Sequence, residues 1–302
     1  MTSNNHSNAT AAVHHRTATV RGLKVAYREA GARTAPTIVL LHGFPTASHM
    51  FSGLIEDLAG TYHVLAPDYI GFGASDAPAP DRFKYTFENL ATVTSELLDQ
   101  LGAERFALYI QDYGAPIGLR IAERRPGLVS ALIVQNGNAY LEGITPFWDA
   151  LRPYWKDRET HLPAVRELLS SDDFHWTYTH GVPAERLDRV NPDNRALDRL
   201  RMDRPGNVDA QAQLFWDYQN NLDFYPAFHA YFRSHRPPTL IAWGRHDEIF
   251  GADGARAFLR DLPDAELHLL DASHFALETH REEIAALIHD FLPRALHRPG
   301  RD

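Results

Sequence analysis

Six short runs of apolar residues set the rhythm of this chain: Thr37 to Leu41, His63 to Ala66, Phe106 to Ile110, Ala131 to Val134, Pro238 to Ala242 and Leu267 to Leu270. Each is nearly continuous rather than alternating, the pattern of a strand covered on both faces of a parallel sheet. Helical stripes lie between several of them. Leu90, Val93, Leu97, Leu98 and Leu101 fall on one face of a segment over 87–101. Ile117, Leu119 and Ile121 mark a helix over 115–122, and Ile284, Leu287, Ile288 and Phe291 repeat at helical spacing over 283–292. Strand–helix alternation of this kind predicts an α/β fold with a mostly parallel central sheet flanked by helices. Before it, residues 17–28 alternate and reach Gly31, as an entering antiparallel hairpin or edge strand does.

The alternation stops between Tyr140 and Arg236. This stretch carries helical patterns, no convincing strand and many aromatics, among them Trp148, Tyr154, Trp155, Trp176, Tyr178, Phe215, Trp216, Tyr218 and Tyr225. We read it as a helical cap inserted into the sheet domain, most of its aromatics packing cap against core. The expected organisation is a disordered polar tail over 1–15, a core over 16–139 and 237–296, and the cap over 140–236.

Composition narrows the chemistry. The 302 residues and 44% hydrophobic content suffice for a core domain plus an insertion. A net charge of −9, with no Lys/Arg cluster, argues against a nucleic-acid or membrane partner. The absence of cysteine excludes disulfides, thiolate metal sites and cysteine nucleophiles. No signal-peptide pattern and no apolar run of about 18–20 residues occurs. A cytoplasmic protein without cofactor, monomeric or homodimeric, is the expectation. The 17 histidines show no metal-ligand spacing, and His14, His15, His175, His180 and His246 are expected at the surface or in caps.

Four segments carry candidate chemistry. In Leu108-Tyr-Ile-Gln-Asp-Tyr-Gly114 an apolar strand runs into Asp112 and then a helix. A residue at such a turn is lifted above the sheet, where the helix N-terminus favours negative charge. Taken alone, Asp112 could be a simple helix N-cap. Its companions favour a nucleophile. His42-Gly-Phe-Pro45 leaves a buried strand ahead of it, and the backbone N–H of Phe44 could pair with that of Tyr113 as an oxyanion hole. Trp243-Gly-Arg-His-Asp247 places an acid beyond another strand, with Glu248 as the competing carboxylate. Asp271-Ala-Ser-His-Phe275 brings His274 after the last strand.

These motifs, in the order nucleophile, acid, histidine, resemble the haloalkane dehalogenase and epoxide hydrolase branch of the α/β-hydrolases. The resemblance covers nearly the whole chain after Thr17. Ile110-Gln-Asp-Tyr-Gly114 and Pro67-Asp-Tyr-Ile-Gly-Phe-Gly-Ala-Ser-Asp76 look most like the dehalogenases; His42-Gly-Phe-Pro45 looks more like the epoxide hydrolases. It implies that Asp112 attacks carbon to form an alkyl ester, that Asp247 orients His274, and that His274 activates the water that hydrolyses the ester. No metal or other cofactor is implied.

The chain departs from both types. Dehalogenases of this branch carry Trp after the nucleophile to hold the halide, where this chain has Tyr113; Phe44 fills a second halide-ligand place, so a halide would borrow Trp155 or Trp176. Epoxide hydrolases use cap tyrosines. Trp216-Asp-Tyr-Gln-Asn220 resembles the segment that carries one, pointing to Tyr218, with Tyr154 as the second and Tyr225 and Tyr178 as rivals. Ile110, however, stands where they have Gly. Haloacetate dehalogenases have arginines after the nucleophile, where this chain has Tyr113 and Pro116. The expectation is an epoxide hydrolase acting on a small apolar substrate and water to give a diol. Haloalkane dehalogenation is the alternative, and a non-catalytic ligand-binding homologue comes third.

Overall fold

The computed structural model describes residues 12–171 and 174–297, so most of the expected tail lies outside the described residues. The sheet has eight strands: β1 (His14–Val20), β2 (Leu23–Ala30), β3 (Thr37–Leu41), β4 (His63–Pro67), β5 (Phe106–Gln111), β6 (Val129–Gln135), β7 (Thr239–Gly244) and β8 (Glu266–Leu270). Their order is β1-β2-β4-β3-β5-β6-β7-β8. Strands β3 to β8 pair in parallel, and β1 and β2 form an antiparallel hairpin on the edge. His14 and His15, expected in the tail, begin β1 opposite Glu29 and Arg28.

Burial explains the runs. Every residue of β4, β5, β6 and β7 is buried, because helices cover both faces of the sheet. The flanking helices are α1 (Ser52–Leu58), α2 (Phe87–Gln100) and α3 (Gly114–Arg124), with others below. Thr86 caps α2 by accepting from the Asn89 N–H. Two glycines bring α3 onto the sheet. A Cβ on Gly114 would stand 2.2 Å from the Leu41 carbonyl oxygen, and one on Gly118 would stand 2.8 Å from Ile110 Cγ2.

Between β6 and β7 the described chain is helical: α4 (Arg152–Lys156), α5 (Arg158–Ser170), α6 (Phe174–Thr179), α7 (Pro192–Met202), α8 (Asn207–Asp217) and α9 (Gln219–His235), with 3-10 turns among them. Helix α9 packs on α3 of the core, with the Arg120 guanidinium 4.2 Å over the Phe224 ring. Then α10 (Ala252–Asp261) and α11 (Ala276–Leu296) flank β7 and β8, α11 kinking at His280. Among the described residues no helix is long and apolar enough to cross a membrane.

Candidate active site

The carboxyl ends of β3, β5, β7 and β8 converge beneath the insertion, the usual place for a site in a parallel sheet. Asp112 stands one residue past β5 with φ of +47°, a left-handed conformation uncommon outside glycine. Its carbonyl accepts from the Ala115 N–H at 2.9 Å, closing the turn into α3. The strained turn aims the side chain above the sheet. Asp112 Oδ1 accepts the Phe44 N–H at 2.7 Å, and the Tyr113 N–H also donates to the carboxylate. The expected donor pair is thus brought together around this carboxylate.

The Phe44 loop packs closely on its surroundings. Its Phe44–Pro45 peptide bond is cis. His42 packs on the Tyr69 ring at 4.1 Å and bonds the Gly43 carbonyl through Nδ1 at 2.9 Å. Burial pushes the His42 imidazole down to about 4, so it is a neutral strut. Gly43 faces Asp112 at close range: a Cβ there would stand 2.3 Å from Asp112 Cβ.

His274 follows β8. Its Nδ1–H donates to Asp247 Oδ2 at 2.9 Å, and its Nε2 lies 3.8 Å from Asp112 Oδ2. Asp247 is fixed by four donors. Ile249 and Phe250 N–H reach Oδ1 at 2.7 and 3.1 Å, and Asn136 Nδ2 and His274 reach Oδ2 at 2.7 and 2.9 Å. Of the two competing acids, Asp247 faces His274, while Glu248 is exposed and pairs with His180 at 3.0 Å.

The electrostatics suit a nucleophile and base. Burial raises the Asp112 carboxyl above the usual range; His274 and the Phe44 and Tyr113 N–H groups oppose this without cancelling it. Burial alone would lower His274, but the charge and hydrogen bond of Asp247, with the charge of Asp112, outweigh it and hold the imidazole above its ordinary value.

A cavity of about 320 Å³ opens on Asp112 and His274. Its walls are mostly apolar: Phe44, Trp148, Leu151, Leu169, Phe215 and Ile249, with Phe147, Leu168 and Trp176 also in the lining. Tyr113 lines it too. None of the three insertion side chains expected against the substrate does so. Tyr154 donates its hydroxyl to the Ala212 carbonyl at 3.0 Å, and Trp155 Nε1 donates to the Phe215 carbonyl at 2.8 Å. Tyr218 is hydrogen-bonded to Tyr225 and lies behind Trp148, whose ring it stacks on at 4.1 Å. Each polar group satisfies a buried backbone or side-chain partner, which turns it away from the cavity.

Sequence reading passed over Gln111, Gln135 and Asn136. Asn136 takes φ of +47° at the end of β6 and bridges Asp247 to the Gly244 N–H at 3.0 Å. Gln135 Nε2 donates to the His274 carbonyl at 3.0 Å, and Gln111 Nε2 lies 3.2 Å from His274 Nε2. Their signal was present: buried amides closing otherwise apolar strands. Among the described residues no group of three or more His, Asp or Glu side chains is placed to hold a metal ion.

The α/β hydrolase fold family matches residues 36–281. The chain is 44% identical to an uncharacterized hydrolase of Saccharomyces cerevisiae over 87% of this chain and 91% of that protein. It is 40% identical to a haloalkane dehalogenase of Mycobacterium marinum over 88% of both. The crystal structure of a haloalkane dehalogenase from Bradyrhizobium elkani superposes with a TM-score of 0.75 at 25% identity, covering 94% of this chain and 98% of that one. Fold, strand order and relatives agree: the chain belongs to the α/β-hydrolase family and is a hydrolase of its haloalkane dehalogenase branch.

Proposed function

We propose that the protein is a cofactor-independent hydrolase that opens small apolar epoxides to diols through an ester on Asp112. One observation carries the choice of leaving group. Tyr113 lines the cavity beside Asp112, and among the described residues its hydroxyl has no hydrogen-bond partner. Burial, with the charges of Asp112 and Asp217, holds that phenol well above its ordinary value, so it stays protonated and can only donate usefully. An epoxide oxygen leaves as an alkoxide and needs a proton; a phenol supplies one, whereas an indole N–H only hydrogen-bonds.

The steps then balance. Asp112 Oδ2 attacks a ring carbon, the C–O bond breaks, and the ring oxygen takes the Tyr113 proton. Water next attacks the ester carbonyl while His274 Nε2 takes its proton, and the Phe44 and Tyr113 N–H groups stabilise the oxyanion. Collapse breaks the bond between the Asp112 carbonyl carbon and the diol oxygen, which takes the proton from His274. Asp112, left as the acid, returns its proton to Tyr113. Asp247 holds the His274 tautomer throughout, and the helical insertion acts as the cap that shapes the substrate pocket.

A second reading, haloalkane dehalogenation, is favoured by the 40% identical dehalogenase and by the Trp176 indole in the cavity wall. Styrene-type epoxides and short bromoalkanes, scored for diol and for bromide, separate the two. Tyr113→Phe is expected to slow epoxide opening by about 10²-fold or more. Bromide release without diol overturns the epoxide reading. Asp112→Ala is expected to abolish turnover, and His274→Phe to trap substrate mass on Asp112; a His274 variant that turns over without an adduct overturns the two-step mechanism.

A further inference from the structure

The cavity over Asp112 is lined in a way that its chemistry does not require. Six of its lining side chains are aromatic: Phe44, Tyr113, Phe147, Trp148, Trp176 and Phe215. Alkyl side chains would exclude water as well. Among the described residues no Lys or Arg lines it, so nothing there would balance a charged substituent. Four of the rings are set by packing around the cavity. Tyr113 meets Phe87 edge-on at 4.8 Å, Trp148 stacks on Tyr218 at 4.1 Å, and Phe44 meets Phe215 at 5.0 Å. Trp148 Nε1 donates to the Ile249 carbonyl at 2.8 Å, which fixes its ring. Phe147 and Trp176 lie nearly parallel, with 8° between their planes and centroids 5.7 Å apart. Phe147 is 38% exposed although it lines the cavity, and Asp112 is 5% exposed, so this pair borders the mouth and the nucleophile the floor. Trp176 stacks in turn on His180 at 4.6 Å, and His180 pairs with Glu248 at 3.0 Å. Phe147 stands at 84° to Trp148, 5.8 Å away. The three rings form a corner that offers an incoming ring both arrangements aromatic pairs favour, stacked and edge-to-face.

We propose that the substrate carries an uncharged aryl ring, held at the mouth by Phe147, Trp148 and Trp176 while its epoxide reaches Asp112. This deepens the epoxide reading and rests on it. The cavity of about 320 Å³ holds about ten water-sized groups, which matches one ring, a short link and an epoxide. Trp176 then acts through its ring face rather than its indole N–H, which separates this role from that of a halide ligand.

Benzyl oxirane and cyclohexylmethyl oxirane differ only in the ring, and the methylene link insulates the epoxide from it, so their intrinsic reactivities match. Burial of apolar area alone favours the more hydrophobic cyclohexyl compound. Contact with ring faces favours the benzyl compound. The parent protein is expected to open the benzyl compound with kcat/KM about threefold higher or more, the range of one aromatic pair. Trp176→Phe keeps a ring face and loses the N–H, and should hold this ratio within about twofold. Trp176→Leu and Phe147→Leu should bring it to about one or below, chiefly through KM. The parent ratio involves no variant, so misfolding of a variant cannot mask it. A parent ratio at or below one overturns the proposal. So does the parent ratio persisting in both Leu variants, and so does its loss in Trp176→Phe to the same extent as in Trp176→Leu. Diol from both compounds at equal kcat/KM sinks the aryl assignment alone. Diol from neither, with bromide released from bromoalkanes, sinks the epoxide reading and this proposal with it.

Discussion

Gly43→Ala tests the oxyanion loop with a single carbon. The added Cβ would lie 2.3 Å from Asp112 Cβ, 2.4 Å from Gln111 Oε1 and 2.5 Å from Asp112 Oδ1, where ordinary contact begins near 3.4 Å. Two of these three neighbours belong to Asp112, which is fixed by the turn into α3. Relief therefore requires the Phe44 loop to withdraw by about 1 Å. The Phe44 N–H contact of 2.7 Å would then stretch beyond hydrogen-bond range. Losing one preorganised oxyanion donor costs about 3–4 kcal/mol, or 10²–10³-fold in kcat. Overpacking should also cost about 1–3 kcal/mol of stability. The assay is stopped-flow measurement of ester formation and ester hydrolysis, with a melting curve on the same sample. Hydrolysis should suffer most, because negative charge develops on the carbonyl oxygen only then. An Ala variant with native melting and hydrolysis within about threefold of the parent would refute the loop as oxyanion hole.

The pH dependence follows from His274. The base must be neutral, and its imidazole is held above its ordinary value, so ester hydrolysis should fall as pH drops through a midpoint above about 6.5. Asp247→Asn removes the main group raising it; single-turnover profiles should show this midpoint moving down while the rate drops by about 10²–10⁴-fold, and an unmoved midpoint would speak against Asp247 as the partner. A single turnover in ¹⁸O-water should label Asp112 and leave the product unlabelled, read by peptide mass; label in the product on the first turnover would mean direct attack of water on the substrate. Asp198→Ala should loosen the insertion from the core. Asp198 on α7 lies 3.0 Å from His49 Nε2, as an electrostatic contact, and accepts the Tyr178 hydroxyl. Truncation leaves two buried polar partners, for about 3 kcal/mol of stability measured by urea unfolding; a change under about 0.5 kcal/mol would show that the contact does not pin the two together.

The sheet was legible because parallel strands have no polar face. β3 and β5 could be read to within a residue of their ends, since covered strands tolerate almost no polar position between turns. β1 was harder. Its burial pattern is largely exposed, and His14 and His15 read as tail although they pair along β2. Edge strands are defined by backbone pairing rather than by side-chain burial, so their ends leave little trace in hydrophobicity. Helix α9 looked like cap for a related reason. Its aromatics declare that it packs, and nothing in them says that α3, rather than the cavity, is what they cover.

The candidate site divides along the same line. Asp112, His274, Asp247 and the Phe44 loop all sit at strand ends, where position along the chain fixes position in space, and the structure brings them together. The side chains of the insertion have no such anchor. Tyr154, Trp155 and Tyr218 had the right atoms, but each polar group is used to satisfy a buried partner within the insertion or its contact with the core. Whether a buried hydroxyl faces a substrate or a carbonyl depends on how helices pack, which single-residue chemistry does not encode. The same reasoning turns Tyr113 from an anomaly into the most informative residue of the site. It follows Asp112 at the turn, it lines the cavity, and among the described residues no partner claims its hydroxyl. On the proposed epoxide reading, the choice of leaving group would then rest with a residue of the core turn rather than with the helical insertion.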